Sequence, residues 1–274
     1  MIKHVIENIS DNERQIFEII VLIFFTCIPF LVNLKDIFND YLNDYQLSPD
    51  NFLCQMAIRE NKYIGAVILM IFALSFIRKY NKYYIMNNKM VYHDYPYIWY
   101  WICAKILGIN NCNLELVPIY MQFKLVIRAT FLNYPLDDRD YHTERDESAI
   151  DVKTFNKDSS DIEVNIILDD TYIISKKQIP EEKQNLKTII INRNNNDNSR
   201  HFSQQYIDKV INCVANLKEN TNVNVYATTN PVNTKYIAKR AFGSGGRGNI
   251  KHLYVFQQNE YGDRSFDIRG RKIY

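Results

Sequence analysis

Two stretches of this 274-residue sequence carry side chains whose types and spacing suit the binding of an anion. The first is Thr228, Thr229, Asn230 and Asn233, directly after the apolar run VNVYA at 223–227. Asn230 suits a helix cap and Pro231 the first turn, where free N–H groups and short polar side chains attract negative charge. The second is the polar loop from Asn192 to His201, whose Arg193 and Arg200 can hold phosphate through charge-assisted hydrogen bonds. A third segment, GSGGRG at 243–248, offers glycines and Arg247. Glycine loops cradle phosphate where a strand leads into a helix, and here the order is reversed. A flexible connection with Gly243 as helix cap is the plainer reading, with Arg247 kept as a candidate ligand contact.

Groups for covalent or metal chemistry are not assembled in the same way. The five histidines lie far apart, and the five cysteines include no CxxC pair, so no metal, no cofactor and no disulfide framework is expected. Cys27 and Cys213 read as small buried hydrophobes in a reducing compartment. No HExxH, GxSxG or Walker pattern occurs. The best carboxylates for an enzyme acting on a nucleotide are Asp169 and Asp170, at the end of an apolar run. The expectation is a binding protein, not an enzyme.

The elements that must position these residues follow from periodicity. IEVNIIL (162–168), TIII (188–191), VNVYA (223–227) and KHLYVF (251–256) read as strands. Between them, Ile207, Val210, Ile211, Val214 and Leu217 recur at helical spacing behind Ser203. A further helix runs from Asn230 to about Phe242. Alternating strands and helices with short links imply an α/β, Rossmann-like domain with a mainly parallel sheet, whose ligands sit beyond the carboxyl ends of the strands. MQFKLVIRATFL (121–132) alternates imperfectly and is read as another strand. The charged stretch 133–161, with DDRD and TERDES, is read as a solvated loop, and the basic tail with Arg264, Arg269, Arg271 and Lys272 as solvated too.

The first 110 residues differ in kind. Ile16 to Leu34 holds a single charge, Glu18, and as a helix spans about 28 Å, near the thickness of a bilayer core. Tyr63 to Ile77 is uncharged and about 22 Å long, with Lys62, Arg78 and Lys79 placed to extend it by snorkelling. Both runs lack a polar face, which disfavours a pair of soluble core helices. Glu7, Asp11 and Glu13 before the first run argue for a retained anchor instead of a signal peptide. Arg78, Lys79, Lys82 and Lys89 follow the second run with no acid before Asp94, so both termini are expected in the cytoplasm and the 35–62 loop outside. Aromatic residues crowd into VYHDYPYIWYWICAKIL (91–107), which suits a segment at the membrane interface or a plug on the next domain. Domains are expected at 1–110 and 111–274. With 33 basic against 31 acidic residues, the chain is no nucleic-acid coat, and no DNA partner is expected.

The segment VNVYATTNPVNTKYIAKRAFGSGGRGNIKHLYVFQQNEYGD resembles the terminal strand–helix–strand unit of CARF and SAVED domains, through Asn230 and Pro231 after an apolar strand and Gln257 and Gln258 after the next. Those Rossmann-like sensors bind cyclic oligonucleotides made in prokaryotic antiphage signalling. Two spans followed by such a sensor are similar to the transmembrane effectors of CBASS and related systems. That resemblance implies a ligand-gated effector at the inner membrane, with a cyclic oligonucleotide and the lipid bilayer as partners and assembly into a homo-oligomer. A ligand-free structural or scaffold membrane protein, and a membrane-anchored nucleotide-processing enzyme, are the alternatives.

Overall fold

The computed structural model describes residues 12–31, 62–135, 142–143, 150–194, 200–243, 249–259 and 262–274. Most of the 35–62 loop, DDRD and Arg247 lie outside those residues. The chain forms two compact units, one of residues 1–89 with 98–111 and the other of residues 90–97 with 112–274.

In the first unit, α1 (Glu13–Leu31) and α2 (Lys62–Asn81) pack as an antiparallel pair. Phe30 meets Tyr63 at one end (ring centroids 5.4 Å apart), and Arg14 meets Asn81 at the other, with Nη2 donating to Oδ1 at 2.8 Å. Helix α2 is longer than the apolar run alone and reaches about 30 Å, enough to cross a bilayer core. Helix α1 continues through Pro29. Both helices leave large apolar side chains uncovered, among them Phe17, Phe24, Phe72 and Phe76. Two buried core helices would cover these; a lipid-facing hairpin leaves them out. Cys27 is likewise exposed on α1 instead of buried, and Cys213 is only half-buried. The aromatic segment becomes α3 (Tyr97–Trp101), which runs into a π-helical turn, Ile102–Ile106. Tyr100 is buried, whereas Ile98 and Trp101 stay exposed.

In the second unit, among the described residues, a six-stranded sheet has the order β6-β5-β4-β2-β3-β1. The strands are β1 (Asp151–Phe155), β2 (Glu163–Asp169), β3 (Lys187–Asn192), β4 (Thr221–Ala227), β5 (Ile250–Phe256) and β6 (Arg271–Lys272). The four inner strands are parallel, and both edges are antiparallel. Two expectations fail here. MQFKLVIRATFL is helical: α4 (Ile119–Ile127) starts at Pro118 and ends before Ala129, which takes φ 45°. Met121, Gln122, Leu125 and Val126 are buried on one helical stripe, a spacing that a short window cannot separate from loose alternation. The charged loop also contains β1, whose Val152 and Thr154 register against Ile191 and Ile189 of the buried strand β3.

The connections explain the two faces. The crossovers through α5 (Gln204–Ala215) and α6 (Pro231–Ile237) run in the same direction across the sheet, which, for the usual right-handed connection, puts both helices on one side. The β2-to-β3 link runs the other way, and its short 3₁₀ turns cover the opposite face, where Ile174, Ile179 and Phe266 pack on Ile167, Tyr226 and Phe256. Helix α6 continues as a π-helical turn, Ala238–Phe242, capped by Gly243. Gly243 is right-handed (φ −88°); a Cβ there would lie 2.7 Å from the Lys239 carbonyl oxygen, so close backbone approach is what requires glycine.

A candidate ligand site at the strand ends

From β2 the chain moves to β3 on one side and then returns past β2 to β4 on the other. The sheet therefore changes winding direction between β2 and β4, and their carboxyl ends flank the crevice where open α/β sheets bind ligands. Asp169 and Asp170 come from the end of β2, and Thr228, Thr229 and Asn230 from the end of β4. Arg193 follows β3 directly. Three segments distant in sequence thus meet at one place.

Asp170 is the centre of the arrangement. Its Oδ1 accepts from Arg193 Nε at 2.6 Å. Its Oδ2 accepts from the Asn230 backbone N–H (3.0 Å), from Asn230 Nδ2 (3.1 Å) and from Asn233 Nδ2 (2.9 Å). Both members of the ion pair have fully buried side chains. Burial pushes the Asp170 carboxyl upward, against the pull of Arg193 and the asparagine donors. A buried pair of this kind is retained only where its remaining hydrogen-bonding capacity is met, and here it is met by the three donations to Oδ2.

The neighbouring residues are held just as firmly. Asn230 caps α6 by accepting from the Asn233 N–H at 2.9 Å, and both asparagines also donate to the His201 carbonyl. Thr228 Oγ1 donates to the Tyr172 carbonyl (2.8 Å), and Thr229 pairs with Thr234, 2.7 Å between hydroxyl oxygens. Asp169 points elsewhere, accepting from the Ile174 N–H at 3.0 Å, and burial pushes its pKa up to about 7. Arg200 is exposed, next to His201.

Five of the seven candidate contacts, Arg193, Thr228, Thr229, Asn230 and Asn233, are therefore brought together, and all five are bonded within the protein. Arg200 lies beside His201, and Arg247 is outside the described residues. The residue that composition and motif pointed to only as a possible catalytic carboxylate, Asp170, is the anion that fills the donor cluster. Its place after β2 was readable from sequence; the convergence of donors on it was not. Among the described residues no group of three or more His, Cys, Asp or Glu could hold a metal ion.

The model of the SMODS- and ubiquitin system-associated two-transmembrane (SUa-2TM) effector domain matches residues 1–273. The chain belongs to this family. Two long apolar helices among the described residues agree with the family's description, and the chain is a membrane protein with a mixed α/β domain. Among solved structures, it is similar to the Acinetobacter baumannii Cap4 SAVED/CARF-domain receptor with the cyclic trinucleotide 3′3′3′-cAAA (TM-score 0.41, 10% identity). It is similar also to that receptor with 2′3′3′-cAAA (TM-score 0.41, 8% identity). Each alignment covers 60% of this chain and 38% of the receptor. No curated protein matches.

Proposed function

We propose that this family member is a membrane effector of prokaryotic antiphage defence, gated by a cyclic oligonucleotide that binds the 112–274 unit. The observation that carries the proposal is the match of nearly the whole chain to a two-transmembrane effector family. The cluster of polar residues at the change of winding supports the location of the ligand. Phosphate is met there by Arg200, over the floor made by Thr228, Thr229, Asn230, Asn233 and Arg193. Arg247 is left out of this site, because Gly243 and Asn249 on either side of it lie at the amino ends of the strands, where Asn249 donates to the Ala215 carbonyl and accepts from the Thr221 N–H. In the ligand-free chain the Asp170 carboxylate takes the donors of that floor, so a phosphate gains Arg193 and the asparagines by competing with Asp170. Binding favours an assembled homo-oligomer, and the spans then disrupt the inner membrane, with both termini in the cytoplasm. No chemical step is required, because differential affinity for the assembled state supplies the switch.

The test is titration of the full chain in lipid nanodiscs with a panel of cyclic di- and trinucleotides, followed by dye release from proteoliposomes. Saturable binding weakened by Arg200→Ala, together with nucleotide-dependent release, is the expected result. Absence of binding across the panel defeats the proposal. The internal satisfaction of the site residues favours a second reading, a ligand-free scaffold. It predicts no nucleotide response and the same dye release at every nucleotide concentration.

A further inference from the structure

Asn81 ends α2 with its side chain buried, and its carboxamide is divided among three partners on two other segments. Nδ2 donates to Glu18 Oε2 of α1 at 2.6 Å and to the Leu107 carbonyl, just beyond the π-helical turn, at 3.0 Å. Oδ1 accepts from Arg14 Nη2 at 2.8 Å. Arg14 Nε in turn donates to Glu18 Oε1 at 2.9 Å, closing a ring of three side chains across the two helices. Only a carboxamide offers two donors and an acceptor in this fork, so neither Asp nor Leu can replace it. The end of the turn itself is held by Arg78, whose Nε donates to the Ile106 carbonyl at 3.1 Å and whose Nη2 donates to that of Lys105. Gly108 lets the chain pass Arg78: its φ is +75°, and a Cβ would stand 2.5 Å from Arg78 Cγ.

We propose that Asn81 is a latch, the positioning residue that ties the 102–108 strip to both spans, so that movement of the strip is relayed to the packing of the hairpin. The strip leads within four residues to the 111/112 boundary where the chain passes into the second unit. Displacement of the strip removes the Leu107 bond and the Arg78 bonds together. Asn81 is then left with Glu18 and Arg14 at the membrane boundary, where an incompletely satisfied polar group is costly and the helices gain by separating. The use of this latch in gating rests on the function proposed above; the latch itself does not.

The test is hydrogen exchange by mass spectrometry on the full chain in nanodiscs, without nucleotide, paired with dye release from proteoliposomes. Asn81→Asp keeps the shape but sets a second carboxylate beside Glu18 and loses both donations; Gly108→Ala disturbs the strip through Arg78 and leaves Asn81 intact. Both variants are expected to raise exchange about tenfold in 102–109 and, at a distance, in the first turns of α1. Faster exchange confined to the mutated segment, or no change in either variant, overturns the latch. If Asn81→Asp does not insert, Gly108→Ala decides alone. Faster exchange in both places with no dye release supports the latch and counts against the membrane-disruption reading instead.

Discussion

At the residue scale, burying charge at the strand ends has measurable consequences. Arg193 exists to balance Asp170, so Arg193→Leu leaves a buried carboxylate without its cation. The expected loss is about 3–5 kcal/mol, read as faster hydrogen exchange of the β2 and β4 amides. Asp169 gives a pH signature of definite sign. Its pKa is raised from 3.8 to about 7 by burial, so the folded state holds a proton that the unfolded state releases. That contribution is complete below about pH 4 and disappears as pH rises through 7. Asp169→Asn keeps an acceptor for the Ile174 N–H and removes the titration. The wild type is expected to lose thermal stability relative to this variant between pH 4 and 8, by at most about 4 kcal/mol. Melting curves of both proteins across that range provide the check.

At the scale of elements, helix ends were more legible than helix identity. Ser203 caps α5 as its type and position indicate, its Oγ accepting from the Tyr206 N–H at 3.3 Å. Ser203→Ala is expected to cost about 1 kcal/mol and to speed exchange in the first turn of α5. Asn230 and Pro231 open α6 for the same local reasons. Helix α4 was not legible, because its twelve-residue window fits two periods and the choice lies with packing: Phe123 sits against Phe242, 5.8 Å between centroids. Two central strands also depart from pattern. Inner parallel strands are normally apolar throughout, yet Asn165 and Asn224 are buried side by side, Asn224 Nδ2 donating to Asn165 Oδ1 at 3.2 Å and to Glu163 Oε1 at 2.7 Å. They lie on the face covered by the 3₁₀ turns, whose polar groups accommodate the amides: Asn165 Nδ2 also donates to the Lys183 carbonyl at 2.7 Å. Lys183 completes the cluster by donating to Glu163 Oε1 at 2.6 Å.

At the scale of the molecule, a membrane hairpin and a doubly wound sheet share one chain, and the hairpin sets a topology that labelling can read. If the 35–62 loop is outside, as the charge pattern leads one to expect, a variant keeping Cys54 as its only cysteine reacts with a membrane-impermeant maleimide in intact spheroplasts and not in inverted vesicles. The reverse pattern would place the termini outside. The antiparallel packing of α1 and α2 puts the Asn12 end beside Asn81, so the ends near the termini share a side in either case.

What the sequence by itself determined are the properties set by near neighbours in the chain. Long apolar runs define the spans, Ser203, Asn230 and Pro231 define where helices begin, and the alternation of elements defines a parallel sheet, because each depends on a few consecutive residues and on solvent. Only the tertiary structure decided that Asp170 would draw Arg193, Asn230 and Asn233 onto its two oxygens, and that Asn81 would be divided among Arg14, Glu18 and Leu107. Those partners stand between 23 and 67 positions apart in sequence, and hydrogen bonds between them exist only once folding has brought their segments together and excluded the water that would otherwise satisfy each one alone.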